Sequence, residues 1–247
     1  MNHEIILTPE VLEHVFNFPI TNTLLVSWIV VAILTVAAII TSRKIKTVPT
    51  GIQNFFELII DTGYTMVEDL AGSSKAKVFF PICFTFFLFI ITSNWLGLLP
   101  GFGTILFKSM PLLRSTNSDL NMTLGLALLS AFITHAFALR YLGFLGYLKK
   151  WFTLNPIFLF VGILELIGEF TKIVSLSFRL FGNIFAGEVV LTTVSTIASW
   201  TAFLIPIPFY FLEIIVGFVQ AAVFMMLTLV FMVLLSEKHG EEHAQSH

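Results

Sequence analysis

The chain has 247 residues, of which 57% are hydrophobic and only 11% charged, and its mean hydropathy is +0.94. A soluble domain carries roughly 25% charged residues and can hide only as many apolar side chains as its core volume holds, so the excess here must face lipid. A net charge of −2, with no basic cluster interleaved with aromatics, excludes nucleic acid as a partner, and the single cysteine, Cys83, excludes a disulfide framework and a cysteine-based zinc or iron–sulfur site.

In chain order, the N-terminal residues 1–21 form an extracytoplasmic segment. They start Met-Asn-His-Glu and hold no Lys or Arg, so the first apolar run, Asn22–Ile40, reads as a retained anchor rather than a cleaved signal peptide. Residues 51–71 behave differently. Ile52, Phe55, Phe56, Ile59, Ile60, Met66, Val67 and Leu70 recur near the helical period, with Gln53, Asn54, Glu57, Asp61, Glu68 and Asp69 filling much of the other side. That pattern predicts an amphipathic helix on the membrane surface, or one packed on a partner protein. Val78–Leu99 and Met122–Leu139 are the second and third spans, each near the roughly 20 residues a bilayer requires.

Beyond Pro156 the chain stays apolar to Leu235, with strong breaks only at Pro156 and at Pro206 and Pro208. Ile157–Trp200 as one helix measures roughly 66 Å, about twice the hydrocarbon thickness. It must either break near Gly182 and Asn183 or lie strongly tilted. A last helix runs from about Pro208 to Leu235, and a polar tail, 236–247, follows. The fold class is therefore an all-α polytopic membrane protein. It has about five transmembrane helices, one surface helix, and a single integral domain over 22–235.

Basic residues set the direction of these spans. Arg43, Lys44, Lys46, Lys75 and Lys77 lie between the first and second spans, and Arg140, Lys149 and Lys150 follow the third; the intervening loop has only Lys108 and Arg114. The N-terminus then lies outside, and the C-terminus lies in the cytoplasm.

Between Ile157 and Leu235 the only ionisable acids and bases are Glu165, Glu169, Lys172, Arg179, Glu188 and Glu213. Charges inside a membrane are costly unless they meet a partner or water, which makes them functional candidates. Glu165, Glu169, Lys172, Arg179 and Asn183 fall within about 40° of one line on a helix, while Glu188 lies near the opposite face. On the last helix Glu213, Gly217, Gln220 and Phe224 form a second stripe. If Arg179 and Gln220 meet at one level, Glu188 and Glu213 reach a similar depth on the outer side, leaving Glu165 and Glu169 on the inner side.

Two acidic patches then flank a permanent cation. Carboxylates in a wet cavity can pass protons, whereas a guanidinium effectively never deprotonates. Arg179 would block direct conduction, and the proton would cross on a carrier moving past it. The structural alternative is that these charges only pin helices, with Glu165 or Glu169 paired to Lys172. Arg179 has no acid at i±3 or i±4 for such a pair.

The run Ser175-Leu-Ser-Phe-Arg179-Leu-Phe-Gly-Asn183-Ile-Phe-Ala-Gly-Glu188 closely resembles the motif of subunit a of F-type ATP synthases. Phe-Val-Gln220-Ala-Ala-Val-Phe-Met-Met-Leu-Thr resembles that family's last-helix motif, and Asn94-Trp-Leu-Gly-Leu-Leu-Pro100 its second-span motif. The resemblance covers roughly residues 45–235. It implies a proton-translocating stator subunit beside a ring of c subunits, with peripheral-stalk b subunits and the other synthase subunits as further partners and the lipid bilayer as its solvent.

The resemblance assigns Asn183 and Gln220 to the neighbourhood of Arg179, Glu188 and Glu213 to an outer half-channel, and Glu165 to an inner one. Lys172 aligns without a firm role, and where this chain has Glu213 some members have His. No cofactor, metal or catalytic residue is implied, and nucleotide chemistry belongs to other chains. The bacterial cytoplasmic (inner) membrane is the expected location, and an organellar inner membrane is the second choice.

His135, alone inside the third span, is of a kind more often hydrogen-bonded for packing than used as a ligand. The tail residues His239, Glu241, Glu242, His243 and His247 read as solvated, and no zinc-protease, nucleophile-elbow or Walker-type motif occurs. Two other classes compete. A proton-coupled secondary transporter would bury similar charges but usually shows two related halves, and residues 1–120 and 121–247 share no evident pattern. A haem- or quinone-binding subunit would need paired intramembrane histidines for bis-His ligation, and only His135 is available.

Overall fold

Pro156 and Pro206 each open a helix, because the proline ring presets φ and its missing N–H is not needed at the first helical position. The computed structural model describes residues 11–15, 18–43, 51–99, 106–107, 110–111, 113–151, 156–197 and 205–236. Lys44, Lys46, Lys108 and the tail 237–247 lie outside the described residues.

An antiparallel hairpin comes first, β1 (Val11–Val15) with β2 (Phe18–Thr21), followed by α1 (Asn22–Arg43) and α2 (Ile52–Gly97). A short pair, β3 (Leu106–Phe107) and β4 (Met110–Pro111), and a single 3-10 turn at Thr116–Ser118 lead to α3 (Leu120–Trp151), α4 (Pro156–Ile197) and α5 (Pro206–Ser236). Among the described residues, five helices are long and apolar enough to cross a membrane, as the hydropathy predicted. Phe132, Phe170 and Phe211 are 71%, 70% and 65% exposed, which suits lipid and not water.

α5 packs against α2, α3 and α4. Its buried residues, from Glu213 through Gly217, Gln220, Phe224 and Thr228 to Leu235, follow the helical period, so the stripe read from the sequence is its inward face. One core joins Phe86 and Ile90 of α2, Ala127 of α3, Leu180 and Ile184 of α4 and Phe224 of α5. A second gathers Val67, Phe79, Cys83, Leu229 and Met232. Ser236, read from the sequence as the start of the tail, closes α5 and is buried.

Two features depart from a simple reading of the spans. α2 and α3 each contain a glycine elbow, Gly72 (φ 74°, ψ 154°) and Gly143 (φ 72°, ψ 162°), a backbone region open essentially to glycine alone. At Gly72 the chain folds back on itself. A side chain at Gly63 would touch Phe80 and Phe84, and the Tyr64 ring meets Phe80 edge-on at 5.4 Å, whereas a straight helix would separate Gly63 and Phe84 by about 31 Å.

The amphipathic arm thus packs on its own span through Tyr64, Val67 and Ala71. Of the apolar stripe read from the sequence, Val67 is buried while Phe56, Ile60, Met66 and Leu70 stay exposed. The arm is rotated so that Tyr64, Val67 and Ala71 meet the span half of α2, which leaves most of the stripe exposed.

α4 has no non-helical residue at Gly182 or Asn183, so the expected choice between a break and a long continuous helix falls to continuity. Its 42 residues extend about 63 Å, which rules out a course perpendicular to a bilayer core of about 30 Å. The 31 residues of α5 reach about 46 Å, so it too exceeds the core.

Candidate functional site

The polar stripe of α4 changes character along its length. At its N-terminal end it lies under α3: Glu169 is 8% exposed, and Glu165 and Lys172 are half-buried. Further along it emerges, and Arg179 and Asn183 are exposed. Glu169 and Arg179 stand about 80° apart around the helix, and the buried face continues past Arg179 through Leu176, Ser177, Leu180 and Ile184, so Arg179 lies outside the covered sector.

Asn183 Nδ2 donates to Gln220 Oε1 of α5 at 2.8 Å. The sequence suggested that Arg179 would meet Gln220; the register between α4 and α5 instead gives that carboxamide to Asn183, one turn further on. Gln220 is 3% exposed, and its Nε2 has no hydrogen-bond partner among the described residues. Arg179 likewise has no ion pair or hydrogen bond among them. It stands on the open flank of the helix.

Glu213, 6% exposed, lies against the backbone of α4 at Gly187, so close that any Cβ there would collide with its carboxylate. Glu188 is the next residue and lies within Coulombic range of Glu213. Glu188 Oε2 is buried without a hydrogen-bond partner among the described residues. The two acids therefore lie at one level of the α4–α5 contact.

A layer that the sequence did not reveal runs beside this pair. Asn94 Nδ2 donates to the Gly217 carbonyl at 3.1 Å, and Asn117 Nδ2 donates to Asn94 Oδ1 at 2.7 Å. Thr23 donates to Asp119 at 3.0 Å, and the Thr123 and Ser177 hydroxyls lie 3.2 Å apart. Ser115, Thr116, Asn117, Ser118 and Asp119 are all buried, and the hydroxyls of Ser93, Ser115 and Thr116 and the Asn117 carbonyl have no hydrogen-bond partner among the described residues. As a string of letters this segment reads as an ordinary polar loop; only its burial distinguishes it.

The other end of the α4 stripe forms its own cluster. Lys172 Nζ donates to Glu169 Oε1 at 2.6 Å and sits over the Phe231 ring at 4.6 Å. This is the internal pairing anticipated for Glu169, made within α4. His135 Nε2 of α3 stands 4.0 Å from Glu169 Oε2, and the Tyr147 hydroxyl is 3.1 Å from His135 Nδ1. No group of three or more His, Cys, Asp or Glu among the described residues has the geometry to hold a metal ion.

The structure thus brings together Asn183 with Gln220, Glu188 with Glu213, and Glu169 with Lys172. It keeps Arg179 apart from every acid described. Residues 24–233 match the family model described as ATP synthase A chain. The chain is also 33% identical over 214 residues to a protein of Trichlorobacter lovleyi named ATP synthase subunit a, covering 85% of each chain. With the family model spanning most of the sequence and the charged stripes sitting inside the match, the chain belongs to the ATP synthase A chain family.

Proposed function

We propose that this chain is the stator subunit that passes protons along two offset half-paths to and from the carboxylates of a ring of c subunits. The observation that carries the reading is Arg179, exposed and without a partner among the described residues in the middle of a helix long enough to cross a bilayer. An unpaired guanidinium in lipid is costly and stays charged, so it calls for an acid from another chain at the open flank of α4.

A ring carboxylate passing this flank is held ionised by Arg179 and must take up a proton before it moves into lipid. The fixed positive charge also repels a free proton, which keeps the two half-paths from joining. On the outer side, Glu188 and Glu213 supply protons, reached through the buried layer from Ser115–Asp119 to Asn94. Buried hydroxyls and amides lacking protein partners are satisfied by ordered water, which is what a proton path requires. On the inner side, Glu165, Glu169 and Lys172 receive them. Asn183 and Gln220 hold the α4–α5 register beside Arg179.

The chain supplies no nucleotide chemistry in this scheme, and peripheral-stalk b subunits hold it against the turning ring. The bias of Lys and Arg toward two loops supports an outside N-terminus and a cytoplasmic C-terminus in a bacterial cytoplasmic membrane. A secondary transporter would spread its charges over two related halves, whereas here they crowd α4 and α5.

The test is ATP-driven proton pumping by the assembled complex in inverted vesicles, comparing wild type with Arg179→Ala. Pumping should vanish while assembly persists. Coupled pumping at the wild-type rate in the variant would refute the scheme.

A further inference from the structure

The elbow at Gly143 has a consequence for the inner half-path. In a straight helix Tyr147 would lie about 18 Å beyond His135. Folded at Gly143, α3 returns the Tyr147 hydroxyl to 3.1 Å from His135 Nδ1. The other ring nitrogen, Nε2, then faces Glu169 Oε2 at 4.0 Å, while the second oxygen of Glu169 is held by Lys172 at 2.6 Å. A phenol, an imidazole, a carboxylate and an ammonium are thus joined in series across α3 and α4. Ser130 and Thr134 of α3 line the same cleft as Glu169, Lys172 and Phe231.

We propose that His135 is the proton relay between Glu169 and the aqueous phase on the cytoplasmic side, with Tyr147 as its positioning residue. The proposal rests on the inner half-path described above. With the Nδ1 proton donated to the Tyr147 oxygen, Nε2 offers its lone pair to Glu169. The O–H bond of the protonated Glu169 breaks and an N–H bond forms at Nε2, leaving a carboxylate stabilised by Lys172 and an imidazolium. The Nε2–H bond of the imidazolium then breaks to water on the cytoplasmic side, which restores the Nδ1–H imidazole on Tyr147 and leaves Glu169 ionised; pumping in the opposite sense runs the same steps backwards. A separation of 4.0 Å is closed by a small side-chain rotation or by one bridging water.

Among the described residues, α4 presents Glu169 and Lys172, with Glu165 one turn before Glu169 on the same stripe, and the returning arm of α3 presents Tyr147. α2 contributes Lys75, placed 5.8 Å over the ring of Tyr141. The titratable residues of α5, Tyr210 and Glu213, belong to its other end. Among side chains, imidazole alone titrates unperturbed near neutral pH, around 6.5, which suits a group that must both take and give a proton.

The experiment measures ATP-driven pumping in inverted vesicles, whose outer bath sets the pH at the cytoplasmic face, for wild type, His135→Gln, Tyr147→Phe and Arg179→Ala. Gln keeps a hydrogen-bonding side chain of similar size but cannot titrate, so a merely structural role predicts normal pumping. A relay predicts a several-fold loss in His135→Gln together with loss of the pH-dependent limb around neutrality. Tyr147→Phe should retain that limb but displace it, and it provides the reading if His135→Gln fails to assemble.

Profiles superimposable on wild type in His135→Gln, or an undisplaced limb in Tyr147→Phe, overturn the relay. If Arg179→Ala still abolishes pumping in that case, the two-path scheme survives without it. If Arg179→Ala pumps normally, the scheme itself fails.

Discussion

Replacing Asn94 with Ala tests whether the buried layer between α2 and α5 is a connected network. Asn94 is 3% exposed and Asn117 fully buried. The Asn94 amide donates to the Gly217 carbonyl at 3.1 Å, and its oxygen accepts from Asn117 at 2.7 Å. Truncation affects the two partners unequally. Gly217 keeps the helical bond to its carbonyl, so its loss is about 0.5–1.5 kcal/mol. Asn117, whose oxygen already has no partner among the described residues, loses its Nδ2 bond as well, and a buried amide left unsatisfied costs about 1–3 kcal/mol.

The expected destabilisation of Asn94→Ala is therefore about 2–4 kcal/mol. Equilibrium unfolding of the purified chain in mixed detergent micelles, titrated with SDS, reads this quantity. Adding Asn117→Ala removes the stranded amide, so the double variant should be clearly less destabilised than the sum of the two singles. A single-variant effect inside about 0.5 kcal/mol, or strict additivity in the double-mutant cycle, would refute the network.

Two further changes probe backbone fit. Gly187→Val places a side chain where the Glu213 carboxylate lies, so Glu213 must move away from Glu188. Pumping in vesicles should fall while the complex still assembles, and a wild-type rate would show that the position of Glu213 is unimportant. At the elbow, Gly72→Ala meets nothing within 4 Å but must hold φ at 74°, so it should cost about 1–3 kcal/mol in the same detergent titration, and no change would mean that the turn is not required.

Most of the membrane architecture was legible in the residues. Span length and hydropathy are local properties, so Asn22–Ile40, the apolar centres of α2 and α3, and the two long C-terminal helices followed from counting. The inward face of α5 followed as well, because Glu213, Gly217, Gln220 and Phe224 share one side of any helix, whatever packs on it. The same periodicity aligned Glu165, Glu169, Lys172, Arg179 and Asn183.

What covers each stripe was not local. Glu169 is buried and Arg179 is exposed because they stand about 80° apart around α4 and only Glu169 falls in the sector that α3 covers. The register of α4 on α5 seats the Glu213 carboxylate against the backbone at Gly187, and that register hands Gln220 to Asn183 instead of Arg179. Gly72 and Gly143 look like any other glycine of the chain until the contacts of Tyr64 with Phe80 and of Tyr147 with His135 show that the chain turns back there. The sequence by itself determined which side chains share a helix face. Only the tertiary structure decided which of them meet a partner, because that depends on crossing angles and close backbone contacts between segments far apart in the chain.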